Sequence, residues 1–221
     1  MSAPVDHLQE RVVDASEHLA DILPSAITLA MMLRHRNTAA WLRAEFEGYD
    51  KTAEVPAYRH DVNGHIVARS PQYGWIPAPI DQQQVRQFGH LDLREDVTNL
   101  EQTCLNCKKG NGHRIALPGE QLLDLQQKIN LSAELAINIS RSTYCEVLKT
   151  IRGSLYLWTR AILDSGLTGD HNTFTREEKE KVACLDNPVR FWREAMESLE
   201  SLPVPNVREA GFLERMFGRT G

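Results

Sequence analysis

The chain has 221 residues, 42% of them hydrophobic and 25% charged, the balance of an ordinary globular protein. Roughly 70% of the unfolded surface can be buried at this length, so no disulfide or metal staple is required, and disordered, collagen-like and disulfide-scaffold classes are excluded. Lys plus Arg number 25 against 30 for Asp plus Glu, a net charge of -5. A protein that lives on phosphate contacts usually carries a basic surplus, so nucleic acid is not an expected partner.

Met1 to Asp6 lacks a basic region followed by an apolar stretch, so no secretory signal is expected. Ile22 to Leu33 is uncharged but far short of the ~20 residues of a membrane span, and it contains Pro24. Four cysteines without an export signal read as reduced thiols in a cytoplasmic protein.

The first predicted helix covers residues 6–21, with Leu8, Val12, Ala15 and Leu19 on one stripe. Pro24 either kinks it or sits in the first turn of a second helix, whose core face is Leu23, Ala26, Ile27, Ala30 and Leu33. Asn37-Thr38 can cap a third helix in which Trp41, Leu42, Phe46 and Tyr49 share a face and Gly48 suits the end. Two strands are expected at 57–62 and 65–69, turning at Asn63-Gly64, the strongest short hairpin signal. Pro71 to Pro79 reads as an extended loop clamped by Tyr73 and Trp75.

Short helices are expected at 81–88 and 92–105, the second with Leu93, Val97, Leu100 and Cys104 on a stripe. A third strand follows at 113–117, then a helix from Pro118 to about Ile129. The clearest element is a helix from about Ser142 to Leu163. Tyr144, Val147, Leu148, Ile151, Leu155, Trp158 and Ile162 give it a continuous apolar face over five turns. Thr143 and Glu146 have capping-box spacing and Gly166 marks its stop. After a linker at 165–173, Thr175 opens a charged helix and Pro188 opens another. The tail carries Phe212, Leu213, Met216 and Phe217 at partly helical spacing, which would be exposed on a monomer. The expected fold is α+β and predominantly helical: a domain over residues 1–165 with a small antiparallel sheet, and a helical appendage over 170–221.

Motifs with chemistry are sparse. No G-x-S-x-G, H-E-x-x-H or Walker-type loop occurs, and no cofactor is expected. Cys104 and Cys107 form a lone C-x-x-C with His113 beyond it. Zinc in a structural site needs a fourth ligand that is missing locally, so no metal is expected and reduced thiols are the simpler reading. The expected hairpin brings His60 and His65 onto adjoining strands, where Glu45 from the third helix would complete an acid–base site; a solvated hairpin face is the bland alternative. Lys108, Lys109 and Arg114 form one small basic cluster, and Arg34, Arg36 and Arg43 another. Both read as solvated ends.

Leu29-Ala30, then Trp41 through Tyr49 (Trp-Leu-Arg-Ala-Glu-Phe-Glu-Gly-Tyr), then Pro56-Ala57-Tyr58-Arg59 resemble the signature of the AbiTii family of abortive-infection domains. Ser140-Arg141-Ser142 leading into the long helix resembles its C-terminal half. The resemblance covers about residues 16–165 and rests on Trp41, Glu45, Gly48, Tyr49, Tyr58, Arg59, Ser140 and Ser142. It implies a part in bacterial defence against phage and brings no catalytic mechanism. Two roles follow as expectations. One is a non-enzymatic regulatory or assembly module that engages another copy or a partner of the same defence system through its tail. The other is a toxic effector enzyme, hydrolytic and acting on RNA, using Glu45, Tyr58, Arg59 and His60 or His65.

Overall fold

A computed structural model describes residues 4–107, 112–167 and 173–206. The chain divides into two compact units, the first made of residues 1–54, 94–106 and 145–221, the second of 55–93 and 107–144. The class is α+β and predominantly helical, with nine α-helices and six short strands among the described residues.

The first unit holds α1 (Pro4–Val13), α2 (Leu19–Leu33), α3 (Arg36–Glu47), α5 (Val97–Asn106), most of α7 (Arg141–Asp164), α8 (Arg176–Val182) and α9 (Pro188–Glu197). The first predicted helix stops early. Asp14 accepts from the amide and hydroxyl of Ser16, a local turn that competes with helix. The guanidinium of Arg152 on α7 then collects the carbonyls of Val12, Asp14 and Glu17. α2 therefore starts at Leu19, five residues before Pro24, and its first amides, Leu19 and Ala20, donate to the buried carboxylate of Glu101 on α5. α3 is finished in the same way. Asp186, just past a 3-10 turn at Ala183–Leu185, accepts from the Asn37 and Thr38 amides and the Thr38 hydroxyl, so Asn37-Thr38 receives the cap and does not supply it.

α3 turns Thr38, Trp41, Leu42 and Glu45 inward, the i, i+3, i+4, i+7 face of a helix. Phe46, expected inside, is 40% exposed, because it lies about 100° around the helix from Glu45. Gly48 has φ +88, and a Cβ there would meet the Arg94 carbonyl at 3.2 Å and the Asp96 amide at 3.3 Å. Only glycine suits that position, where the next amide, Tyr49, donates to the Arg94 carbonyl. The predicted face of α7 is buried throughout, from Tyr144 to Ile162. Trp158 on it donates its indole N–H to Nδ1 of buried His35, whose Nε2 bonds to the Val182 carbonyl. Those two bonds set a neutral ring with the proton on Nε2.

The second unit contains a four-stranded antiparallel sheet ordered β3-β2-β6-β5 and a two-stranded ribbon, β1-β4. The strands are β1 (Val62–Asn63), β2 (His65–Ser70), β3 (Gly74–Pro77), β4 (His90–Leu91), β5 (His113–Ala116) and β6 (Leu135–Ile139). α4 (Gln82–Phe88) opens with a full capping box between Asp81 and Gln84, and α6 (Gly119–Ile129) follows β5. α4 packs on β2 and α6. The hairpin predicted at Asn63-Gly64 does not form: β1 pairs with β4, and β2 pairs with β3 and β6. A tight two-residue turn of that type needs positive φ at both residues, and neither has it. Gly64 is instead a close-approach glycine, since a Cβ would lie 2.3 Å from an Ile137 methyl. The true hairpin joins β2 to β3 through Pro71-Gln72-Tyr73 and closes on Gly74 at φ +71, inside the stretch read as a loop. Tyr73 clamps nothing at 77% exposure. Residues 57–60 are turn, not strand, held by the Arg59 and His60 amides on the Pro56 carbonyl. The central strand β6 has no counterpart among the predicted strands, because Leu135, Ala136, Ile137 and Ile139 form a short apolar run without a clear two-residue alternation.

The reading of the cysteines as reduced thiols is also corrected. Cys104 on α5 is bonded to Cys145 on α7, and Cys107 and Cys184 are the cysteines outside that bond. The disulfide joins the residues at which the chain leaves and returns to the first unit around the 107–144 excursion.

Closing a loop of sequence separation 41 constrains the unfolded chain by about 4 kcal/mol in the loop-entropy treatment. Reduction with dithiothreitol is therefore expected to lower the melting temperature, and Cys145→Ser to abolish that difference; a melting curve that ignores the reductant in the wild type contradicts it. Burial depresses the pKa of His35, so the unfolded chain takes up the proton first. Stability present above the free-imidazole value of about 6.5 is lost as pH falls below it. Melting curves from pH 7.5 to 5.5 should show the loss, and His35→Gln should flatten that part of the profile.

Candidate functional site

The signature residues are built into the interior of their own units. In the first unit Trp41 and Glu45 are buried on α3, and the Tyr49 hydroxyl, one turn on, donates to Oε1 of Glu45 at 2.6 Å. This i, i+4 pair gives one hydrogen bond to a carboxylate that is 0% exposed, and a buried charge requires such partners. In the second unit Tyr58 is buried at 8% and Arg59 at 0% exposure. Arg59 is tied to one residue twice: its guanidinium donates to the Leu93 carbonyl at 3.0 Å, and its own carbonyl accepts from the Leu93 amide at 2.9 Å. Ser140 is the N-cap of α7, its Oγ accepting from the Thr143 amide and sharing hydrogen bonds with the Ser142 and Thr143 hydroxyls. The capping box expected at Thr143 and Glu146 is replaced by this earlier cap.

His60 and His65 are not brought together by a turn, because β1 and β2 are not partners. His65 is exposed at the start of β2, in register with Asn138. His60 has a partner that the sequence did not suggest. Its Nδ1 lies 2.8 Å from Oδ1 of Asp92, which also accepts from the Asp61 amide at 3.1 Å. His90 sits 3.4 Å from Asp61 alongside. The β1-β4 register produces this row of alternating histidines and aspartates, and the sequence separation of 32 between His60 and Asp92 hides it from any local pattern. Asp92 can hold the Nδ1 proton and leave Nε2 to face solvent, the orientation of a general base.

The three cavities described in the two units are lined by none of Glu45, Tyr58, Arg59, His60 or His65. One, of about 50 Å³ in the first unit, is ringed by Glu17, His18, Glu101, Lys149 and Arg152, room for water and not for substrate. The largest, of about 740 Å³, lies in the second unit between the β2–β3 hairpin and the residues leading into β6, and its lining is mostly apolar.

Cys104 is committed to Cys145, so it cannot join Cys107 and His113 around a metal while that bond stands. His113 packs edge-on against Tyr144, and burial raises the Cys107 thiol pKa. Among the described residues no group of three or more His, Cys, Asp or Glu is placed to hold a metal ion, and no helix is long and apolar enough to cross a membrane. Phe212, Leu213, Met216 and Phe217, the expected contact residues, lie outside the described residues.

Neither the curated proteins nor the solved structures offer a match to this chain. A family model does match, over residues 5–186, wider at both ends than the quoted motifs. It takes in α8 and Asp186, the cap of α3. With the match spanning most of the chain, and with the helix, turn and cap of the signature in place, the chain belongs to the AbiTii family, which carries it into abortive infection, bacterial defence against phage.

Proposed function

We propose that this chain works in abortive infection as a non-enzymatic regulatory or assembly module, recognising another copy of itself or a protein of the same defence system. The observation that carries the reading is the burial of the signature: Glu45 and Arg59 are both 0% exposed. Side chains that no substrate can reach hold architecture, and their bonds to Tyr49 and Leu93 fix how elements meet. The contact element in this reading is the tail with Phe212, Leu213, Met216 and Phe217. α9 is not part of it, since Phe191, Trp192 and Ala195 are buried.

A second reading, an effector enzyme of hydrolytic type acting on RNA, has one observation in its favour. His60 is held by Asp92 with its imidazole 66% exposed, an acid–base group facing solvent.

Two experiments separate these readings. Light scattering on the full chain and on a chain ending at Asn206 should show an oligomer and a monomer respectively; a full chain already monomeric removes self-assembly. In cells, His60→Ala and Asp92→Asn should leave growth arrest and protection from phage unchanged. Loss of both with an unchanged melting temperature overturns the module reading in favour of the enzyme.

A further inference from the structure

The four-stranded sheet of the second unit has two unlike faces. Ile66, Ile137 and Ile115 stand in one row across β2, β6 and β5, and Ile66 and Ile137 are buried. The opposite face is open apart from Ala136 and the amide oxygen of Asn138, both buried. Its first row is His65, Asn138 and Arg114, and Arg69 stands beside Trp75 at the other end. His65, Arg69 and Arg114 are exposed, and Trp75 and Asn138 half-buried.

Trp75 on β3 and Arg114 on β5 are separated by two strands, yet the guanidinium carbon lies 5.5 Å from the indole ring. They reach each other because, in the row between them, the two intervening strands carry only Val67 and Ala136 on this face. The guanidinium lies over the ring, so cation and indole form one stacked aromatic and positive platform. No strand residue of this face is acidic. Glu134, just before β6, is the carboxylate beside it, and it pairs with Arg69 at 2.9 Å with both side chains more than half exposed. A solvated pair of that kind is worth little and yields readily to a polyanion.

The charge of the units agrees. The second unit has eight Lys and Arg against six Asp and Glu, whereas the first has 17 against 24. The overall charge of -5 therefore describes the first unit and says little about this face.

We propose that this open face binds single-stranded nucleic acid. A base stacks on the Arg114–Trp75 pair, Arg114 and Arg69 meet the flanking phosphates, and His65 offers a hydrogen bond to a base edge. Stacking needs an unpaired base, so the face selects single strands over duplex. The inference stands on the sheet face alone and is independent of the tail.

The test uses the full chain and four probes: a labelled 12-residue oligouridylate, its oligothymidylate twin, a duplex of equal length, and heparin, a polyanion without bases. Trp41, Trp158 and Trp192 are buried, so quenching of tryptophan fluorescence reports on Trp75. Single strands are expected to bind, quench that emission and outcompete duplex about tenfold. Two phosphate contacts predict that log K falls against log salt with a slope of about -1.4, and Arg114→Ala should reduce that slope by about 0.7. Trp75→Ala should weaken binding about tenfold, while Trp75→Phe keeps the ring and most of the affinity. If Trp75→Ala does not fold, the affinity and salt slope of Arg114→Ala decide. A preference between RNA and DNA identifies the natural strand. Three results each overturn the proposal: no single-strand binding tighter than about 10⁻⁴ M at low salt, heparin binding as well as the oligonucleotides without quenching, or affinity and salt slope unaltered in Arg114→Ala.

Discussion

Three helix ends in the first unit are finished by charged side chains that arrive from far along the chain, and the unit's arrangement depends on them. Each helix terminus leaves backbone groups without partners. Arg152 takes the carbonyls after α1, Glu101 the first amides of α2, and Asp186 the first amides of α3. Each sign matches the helix dipole it meets, cations at C-termini and anions at N-termini. Glu101 and Arg152 are both buried, so losing one would leave unpaired backbone groups and an uncompensated charge, an effect of about 3–5 kcal/mol. Such contacts do more than add stability. They fix where α1 stops and α2 begins, because a turn that exposes carbonyls inside the unit persists only where a donor waits for them.

The family signature follows the same logic at shorter range. Glu45 accepts from Tyr49 one turn on, Gly48 lets α3 end against the backbone of Arg94, and Ser140 caps the longest helix. Each quoted residue has a positional task that another residue type would not perform. Conspicuous polar residues in a sequence are as often structural pins as reactive groups, and burial decides between the two.

What faces outward is different in kind. The His60–Asp92 pair, the Trp75–Arg114 platform and the apolar cavity beside the β2–β3 hairpin all belong to the second unit. That unit also carries the positive share of an otherwise acidic chain.

Periodicity by itself determined the long helix and the helical class, though not where every helix begins and ends. The seven apolar positions of α7 are buried as the 3.6-residue repeat requires, and the helical class with a small sheet follows from counting such stripes. The signature placed the family, since Trp41, Glu45, Gly48 and Tyr49 sit at fixed offsets on one helix. Strand partners were not legible. Val62-Asn63 pairs with His90-Leu91, and β6 lies between β2 and β5, choices made by contacts tens of residues apart that leave no local pattern. The same distance hid Asp92 from His60, Cys145 from Cys104 and Arg152 from the end of α1. Hydrophobic spacing is written within a few turns of chain, whereas hydrogen-bond partners and strand neighbours are selected only when the folded backbone brings distant residues together, so those were settled by the tertiary structure.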